Sequence, residues 1–257
     1  MSKRVLVTGA TSGIGEVFVH WYVESASEIV LVGRNKSELD RVAYAARSRG
    51  VHAEVIVADL SHKDGVESVG AQCGAVDVLV MNAGVTHAAK IGTSDRDQLD
   101  ELAYLMSAGI VRLSEIVVPH MVERGSGDVV IVSSIATFTP MRKAGPYAAA
   151  KTYATSYARS LALEVNSRGV RVVAVCPGYV RTDLHRRAGL DHLSQSVPGW
   201  LWLTPDDVVR ATMRALERGK TVVVPGLVYR IALPFLASST AQQLWRRITR
   251  RSSSASS

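Results

Sequence analysis

Seven short runs rich in Val and Ile recur along the chain, and they are apolar on nearly every residue rather than on alternate ones: Arg4 to Val7, Glu28 to Val32, Ala53 to Val57, Asp77 to Val80, Asp128 to Val132, Val170 to Val175 and Thr221 to Val224. A strand with no polar face must be covered on both sides, which is the condition of a parallel sheet. Longer segments of helical period separate the runs, so each crossover carries a helix. Right-handed crossovers then predict one doubly wound α/β domain, three layers thick, around a mainly parallel seven-stranded sheet. Helix starts are signalled locally: Ser61 with Asp64 has capping-box spacing, and Thr204-Pro205-Asp206-Asp207 offers a cap, a first-turn proline and acids at the positive helix end.

The 257 residues are 47% hydrophobic, enough to bury a core without disulfide staples. Only Cys73 and Cys176 are present. They suggest a reducing compartment, and with no apolar leader after Met1-Ser2-Lys3-Arg4 the expected address is the cytoplasm. The net charge of +7 is unevenly spread. Of 30 basic residues, seven follow Glu217 and no acid does, which leaves 23 against 23 over residues 1–217. A neutral body with a basic tail argues against nucleic-acid binding, which calls for a basic face on the fold itself. The expected organisation is a nucleotide-binding and catalytic domain over 1–226, with an irregular insertion at 184–203 near the substrate site. A basic amphipathic segment follows at 227–251, then a low-complexity, disordered tail at 252–257.

The first strand ends in Thr8-Gly9-Ala10-Thr11-Ser12-Gly13-Ile14-Gly15 and leads into a helix. Glycines at such a turn let the backbone bend sharply and approach a pyrophosphate, which the free N–H groups and positive end of the helix then hold. The Gly-x-x-x-Gly-x-Gly spacing differs from the common dinucleotide fingerprint, so a second feature is needed. It stands 19 residues after Gly15, where a Rossmann-type fold presents an acid to the ribose hydroxyls of NAD. Here the residue is Arg34. A guanidinium there suits the 2′-phosphate of NADP.

With these features in place, the chain resembles the short-chain dehydrogenase/reductase (SDR) family over about residues 3 to 225. Asp59-Leu60 after the third strand matches the family's adenine-contacting pair, and Asn82-Ala83-Gly84 after the fourth matches its Asn-Ala-Gly signature. Ser134 closes the fifth strand, thirteen residues before Tyr147 in Tyr147-Ala-Ala-Ala-Lys151. Pro177-Gly178-Tyr179-Val180-Arg181-Thr182 follows the sixth strand, like the segment that wraps the nicotinamide. The resemblance implies a catalytic set of Ser134, Tyr147 and Lys151. It implies cofactor contacts from Gly9, Thr11, Ser12, Gly13, Ile14, Gly15, Arg34, Asp59, Leu60, Asn82, Ala83, Gly84, Tyr147, Lys151, Pro177, Gly178, Val180 and Thr182. It also implies a homodimer or homotetramer.

The tyrosine and lysine make chemical sense independently. Residues at i and i+4 share a helix face, so Tyr147 and Lys151 project together. A free phenol near pKa 10 is a poor acid-base catalyst at neutral pH, and an adjacent ammonium is expected to lower it. One residue departs from the family. Aligning on Gly109 puts Met106 where an asparagine usually supports a relay water, and a thioether cannot replace an amide's donors and acceptor. Either Ser107 or a backbone carbonyl holds that water, or proton supply is slower.

His185 and His192 lack a ligand-spaced third partner, so no metal is expected. Cys176 reads as a buried strand cysteine, and Trp200 and Trp202 either roof an apolar substrate pocket or pack on the body. Leu227 to Ala237 is apolar but too short to span a bilayer. Residues 241 to 251 carry Leu244, Trp245 and Ile248 among arginines, a pattern that suits either a membrane surface or packing on the fold. The expectation is an NADP(H)-dependent oxidoreductase that interconverts a carbonyl and a secondary alcohol on an apolar or acyl-type small molecule. The alternative is an NADP-sensing regulator that kept the fold and lost turnover.

Overall fold

The computed structural model describes residues 3–86, 88–182 and 197–238, with the side chains of 235–237 excepted. Its strands are β1 (Lys3–Thr8), β2 (Ala26–Gly33), β3 (His52–Val57), β4 (Val78–Met81), β5 (Gly127–Val132), β6 (Val170–Val175) and β7 (Val222–Val223). They form one sheet in the order β3-β2-β1-β4-β5-β6-β7, and every adjacent pair is parallel. All seven predicted runs are strands, with shifted ends. β2 lengthens to Ala26–Gly33 because β1 pairs with it from Ala26 and β3 as far as Gly33, the two overlapping over 28–32. β7 shrinks to two residues at the sheet edge, where Pro225 has no N–H to continue a ladder.

The helices are α1 (Gly13–Val23), α2 (Lys36–Arg47), α3 (Lys63–Gln72), α4 (Arg96–Met106), α5 (Ala108–Arg124), α6 (Gly145–Val165), α7 (Pro205–Glu217) and α8 (Leu227–Ala237). Successive strand residues feed opposite layers. Leu6, Val30, Leu79, Ile131 and Ala174 meet α3, α5 and α6, while Val5, Val7, Leu31, Val80 and Val173 meet α1, α2 and α7. This is why the strands lack a polar alternation. The stretch 96–124 is apolar and long enough to cross a membrane, but it breaks at Ser107 and its Leu113, Val117 and Met121 lie in the core.

The α7 start has its capping box, with Thr204 and Asp207 exchanging side-chain and backbone bonds. The one expected at Ser61 and Asp64 is absent. α3 begins instead after His62, and Ser61 donates both its N–H and its hydroxyl to Asp59 Oδ1, at 3.0 and 2.7 Å. The aspartate two residues upstream captures the serine before the helix can use it. From β1 the chain steps outward to β3, then returns to place β4 on the other side of β1. That reversal leaves a crevice at the carboxyl ends of the strands.

Candidate active site

The described residues expected to bind the cofactor or act in catalysis stand at this carboxyl edge, just after a strand or in the first two turns of the next helix. Gly9 and Gly13 have φ of +64° and +58°, the left-handed region that glycine alone enters freely. Gly15 is required for a different reason: a Cβ there would lie 2.1 Å from the Gly9 carbonyl and 2.4 Å from Asn82 Nδ2. Asn82 fixes this floor, its amide donating to the carbonyls of Thr8 and Gly9, both at 3.1 Å. Thr8 Oγ1 accepts from the N–H groups of Asn82 and Ala83, each at 3.0 Å, which ties β1 to β4. Ser12 is the N-cap of α1 but makes no side-chain cap, so the first amides of α1 are left for an anion. Ile14 packs beneath the loop, and the Thr11 carbonyl accepts from Arg41 at 3.3 Å. A loop with three glycines at an uncapped helix start fits a dinucleotide pyrophosphate.

Arg34 follows β2 and is two-thirds exposed, but it is not without a counter-ion. Asp59, after β3, approaches it to 3.7 Å. Burial alone would raise the Asp59 carboxyl. The Ser61 hydrogen bonds and the Arg34 and His62 charges outweigh it, so the group sits below its ordinary range. An exposed pair at this distance holds Arg34 weakly. Leu60 beside it is buried. Sequence reasoning missed Arg41, which bridges Glu16 and Glu38 as well as the Thr11 carbonyl and thereby braces the glycine loop against α2.

Ser134, Tyr147 and Lys151 come together as expected. Lys151 is 5% exposed, its Nζ lies 5.8 Å from the Tyr147 ring centroid and donates to the Val132 carbonyl at 2.8 Å. The electrostatics differ from expectation. Burial pulls the Lys151 ammonium down to about 8. Burial also pushes the Tyr147 hydroxyl up, against a hydrogen bond with Ser134 that lowers it. Burial outweighs the hydrogen bond, so the phenol rises where the sequence led us to expect a fall. Ser134 Oγ accepts from the Ala136 N–H at 3.2 Å, capping the turn Ile135–Phe138. Beneath it, Ser133 and Thr155 share a 2.6 Å hydroxyl contact and bind the Lys151 carbonyl, which fixes α6 against the end of β5.

Met106, the last residue of α4, is fully buried among Leu102, Ala150, Val85 and Tyr147. Gly84 opens the site there: a Cβ would lie 3.4 Å from Met106 Sδ and 3.5 Å from Lys151 Nζ. Ser107 does not supply the missing amide, since its hydroxyl donates back to the Ala103 carbonyl.

The loop after β6 closes the other side. The Pro177 carbonyl accepts from Ile135 N, Val180 bridges to Leu203, and the Thr182 methyl lies where a Gly13 Cβ would be, 2.9 Å away. Trp202 stacks obliquely on Tyr179 with centroids 5.5 Å apart and lies beneath the Arg181 guanidinium, whereas Trp200 is exposed. Of the two, Trp202 packs on the body. Cys176 is buried and its thiol is pushed up by burial, as expected of a core cysteine. His185, His192 and most of the 184–203 insertion lie outside the described residues, as do residues 241–251.

Residues 3–192 match the family model of the short chain dehydrogenases. The chain belongs to the short-chain dehydrogenase family. It is an oxidoreductase by that membership, and its seven-stranded doubly wound sheet is the fold of its solved relatives. Gluconate 5-dehydrogenase from Gluconobacter oxydans is 27% identical over 229 residues, which is 86% of this chain and 90% of that protein. A short-chain dehydrogenase from Sphingobium yanoikuyae, solved in complex with NADPH, superposes with a TM-score of 0.80 at 26% identity over 99% of this chain and 96% of that one. A family member from Burkholderia phymatum, solved in complex with NAD, shares the fold with a TM-score of 0.81 at 19% identity, covering 91% and 92%.

Proposed function

We propose that this short-chain dehydrogenase is NADP(H)-dependent and interconverts a carbonyl and a secondary alcohol on an apolar or acyl-type substrate. The observation that carries the reading is the convergence of Ser134, Tyr147 and Lys151 beside the glycine loop, at the carboxyl ends of the strands where the strand order reverses. The bound cofactor supplies or accepts the hydride. Tyr147 holds the proton destined for the substrate oxygen. Ser134 hydrogen-bonds the same oxygen and stabilises charge as it develops. Lys151 has donors beyond the one given to Val132, and these would hold the nicotinamide ribose of a bound cofactor. Gly9 to Gly15, Leu60, Ala83 and the Pro177–Thr182 loop bind and orient the rest of the dinucleotide, with Asp59 and Asn82 fixing the pocket around it.

The preference for NADP rests on Arg34, and the NADPH complex of the Sphingobium relative supports it. A 2′-phosphate carries more charge than the Asp59 carboxylate and draws the guanidinium from a loose contact. The partly exposed apolar side chains near the reacting centre, Val85, Ile135 and Phe138, support an apolar substrate body. Titrating NADPH and NADH into the wild type and Arg34→Ala tests the assignment: the wild type binds NADPH more tightly by one or two ~1.4 kcal/mol steps, each tenfold, and Arg34→Ala removes the difference. Equal affinities in the wild type would refute it.

A further inference from the structure

We infer that Tyr229, in the first turn of α8, is a positioning residue for the cofactor end of this site, an inference that rests on the function proposed above. Gly178 follows Pro177 directly after β6, and a Cβ there would fall 2.0 Å from Tyr229 Cζ. The tyrosine ring fills the space that a side chain at 178 would need. The ring is nearly buried, with Cys176, Val224 and Leu233 around it and Ile135 and Phe138 in the same cluster. Those last two belong to the turn that Ser134 caps.

The hydroxyl is committed in both directions. Tyr229 Oη accepts from the Tyr179 N–H at 3.1 Å and donates to the Leu201 carbonyl at 2.7 Å. A phenol has one proton to give, so the donor is fully used. Its two partners lie on the segments flanking residues 183–196. The same segments are stitched by Leu203 N to Tyr179 O at 2.8 Å and by Arg181 N to Leu203 O at 2.9 Å. Tyr229 therefore joins three pieces of chain: the loop 177–182, the turn Gly199–Leu201 and α8. The far end of the first piece is Thr182, resting on Gly13 of the glycine cradle. Thr182 is three peptide units from Tyr179, so a shift at Tyr179 reaches the contact with Gly13. The stretch beginning at Leu227 is, at Tyr229, part of the site's framework.

Tyr229→Phe keeps the ring against Gly178 and deletes only the oxygen, which removes the bonds to the Tyr179 N–H and the Leu201 carbonyl. In the full chain we expect amide exchange over 177–182 to quicken about tenfold, and the dissociation constant for NADPH to rise about five- to tenfold, as loss of one or two hydrogen bonds dictates. The Michaelis constant for the cofactor rises with it, while kcat at saturation stays within about twofold, because neither Tyr147 nor Ser134 is touched. Leu233→Ala thins the same contact without removing either bond and leaves exchange at 177–182 and NADPH affinity at wild-type values. Gly178→Ala forces the ring aside from the opposite direction and quickens the same amides, which keeps the test alive should the Phe variant fold poorly. Exchange and affinity unchanged in Tyr229→Phe, or lost equally in Leu233→Ala, would overturn the inference. Exchange is measured on the free protein. A wild type that binds neither NADPH nor NADH refutes the proposed function, while the exchange comparison still decides the role of Tyr229.

Discussion

Lys151→Met isolates what burial of one ammonium does to the stability of this fold. The side chain keeps its length and loses its charge, in a site that is 5% exposed. The fall of the Lys151 pKa from 10.5 to about 8 corresponds to about 3 kcal/mol set against the folded state near neutral pH. Losing the bond to the Val132 carbonyl offsets about 1 to 2 kcal/mol of the relief, so the variant gains about 1 to 2 kcal/mol at pH 7. The sign follows from proton counting. Between pH 8 and 10.5 the unfolded chain holds the lysine proton more tightly than the folded one, so wild-type stability rises with pH through that window while the variant has no such gain. The variant's advantage shrinks by about 2 kcal/mol between pH 7 and 9.5. Urea unfolding of both proteins at pH 7, 8 and 9.5 measures it. A variant less stable than wild type at pH 7, with a gap that does not move with pH, would refute the claim that the amine is desolvated. The variant is expected to lose cofactor affinity and turnover together.

Met106→Asn places an amide in a fully buried apolar pocket, so it lowers stability by about 1 to 3 kcal/mol, read as a fall in Tm. Turnover per folded site is expected to be unchanged or higher; a collapse in kcat with native Tm would mean that Met106 touches substrate or cofactor. Full-length protein is expected to sediment in part with anionic vesicles and not with neutral ones, because four arginines lie between 246 and 251 and Leu227 and Ile231 are exposed on α8. Salt, or truncation after Ser239, abolishes this binding, and absence of binding at low salt would leave residues 241–251 no membrane role.

The fold was legible because burial on both faces of the sheet writes itself into every strand as an uninterrupted apolar run, and because Thr204 to Asp207 carry their helix start locally. The site was legible for a related reason: a doubly wound sheet collects strand ends at one edge, so residues placed after Thr8, Gly33, Val57, Met81, Val132 and Val175 must converge. What escaped the sequence depends on contacts between distant segments. Nothing local shows that Ser61 is claimed by Asp59, that Arg34 meets that same carboxylate, or that Gly178 is a glycine because Tyr229, some fifty residues on, lies against it. The Tyr147 hydroxyl is a similar case. Helical spacing places Lys151 beside it, but only burial decides that the phenol rises instead of falling.

The most direct measurement of the proposed chemistry is NADPH consumption by wild type and Tyr147→Phe against a panel of ketones, aldehydes and acyl thioesters. The account predicts turnover of at least one apolar carbonyl by the wild type, and a loss of about 100-fold or more in Tyr147→Phe with NADPH affinity retained, since the proton donor goes and the ring volume stays. A Phe variant within a few-fold of wild type on a genuine substrate would contradict the assigned mechanism, and NADPH binding without consumption of any member of the panel would favour the sensor over the enzyme.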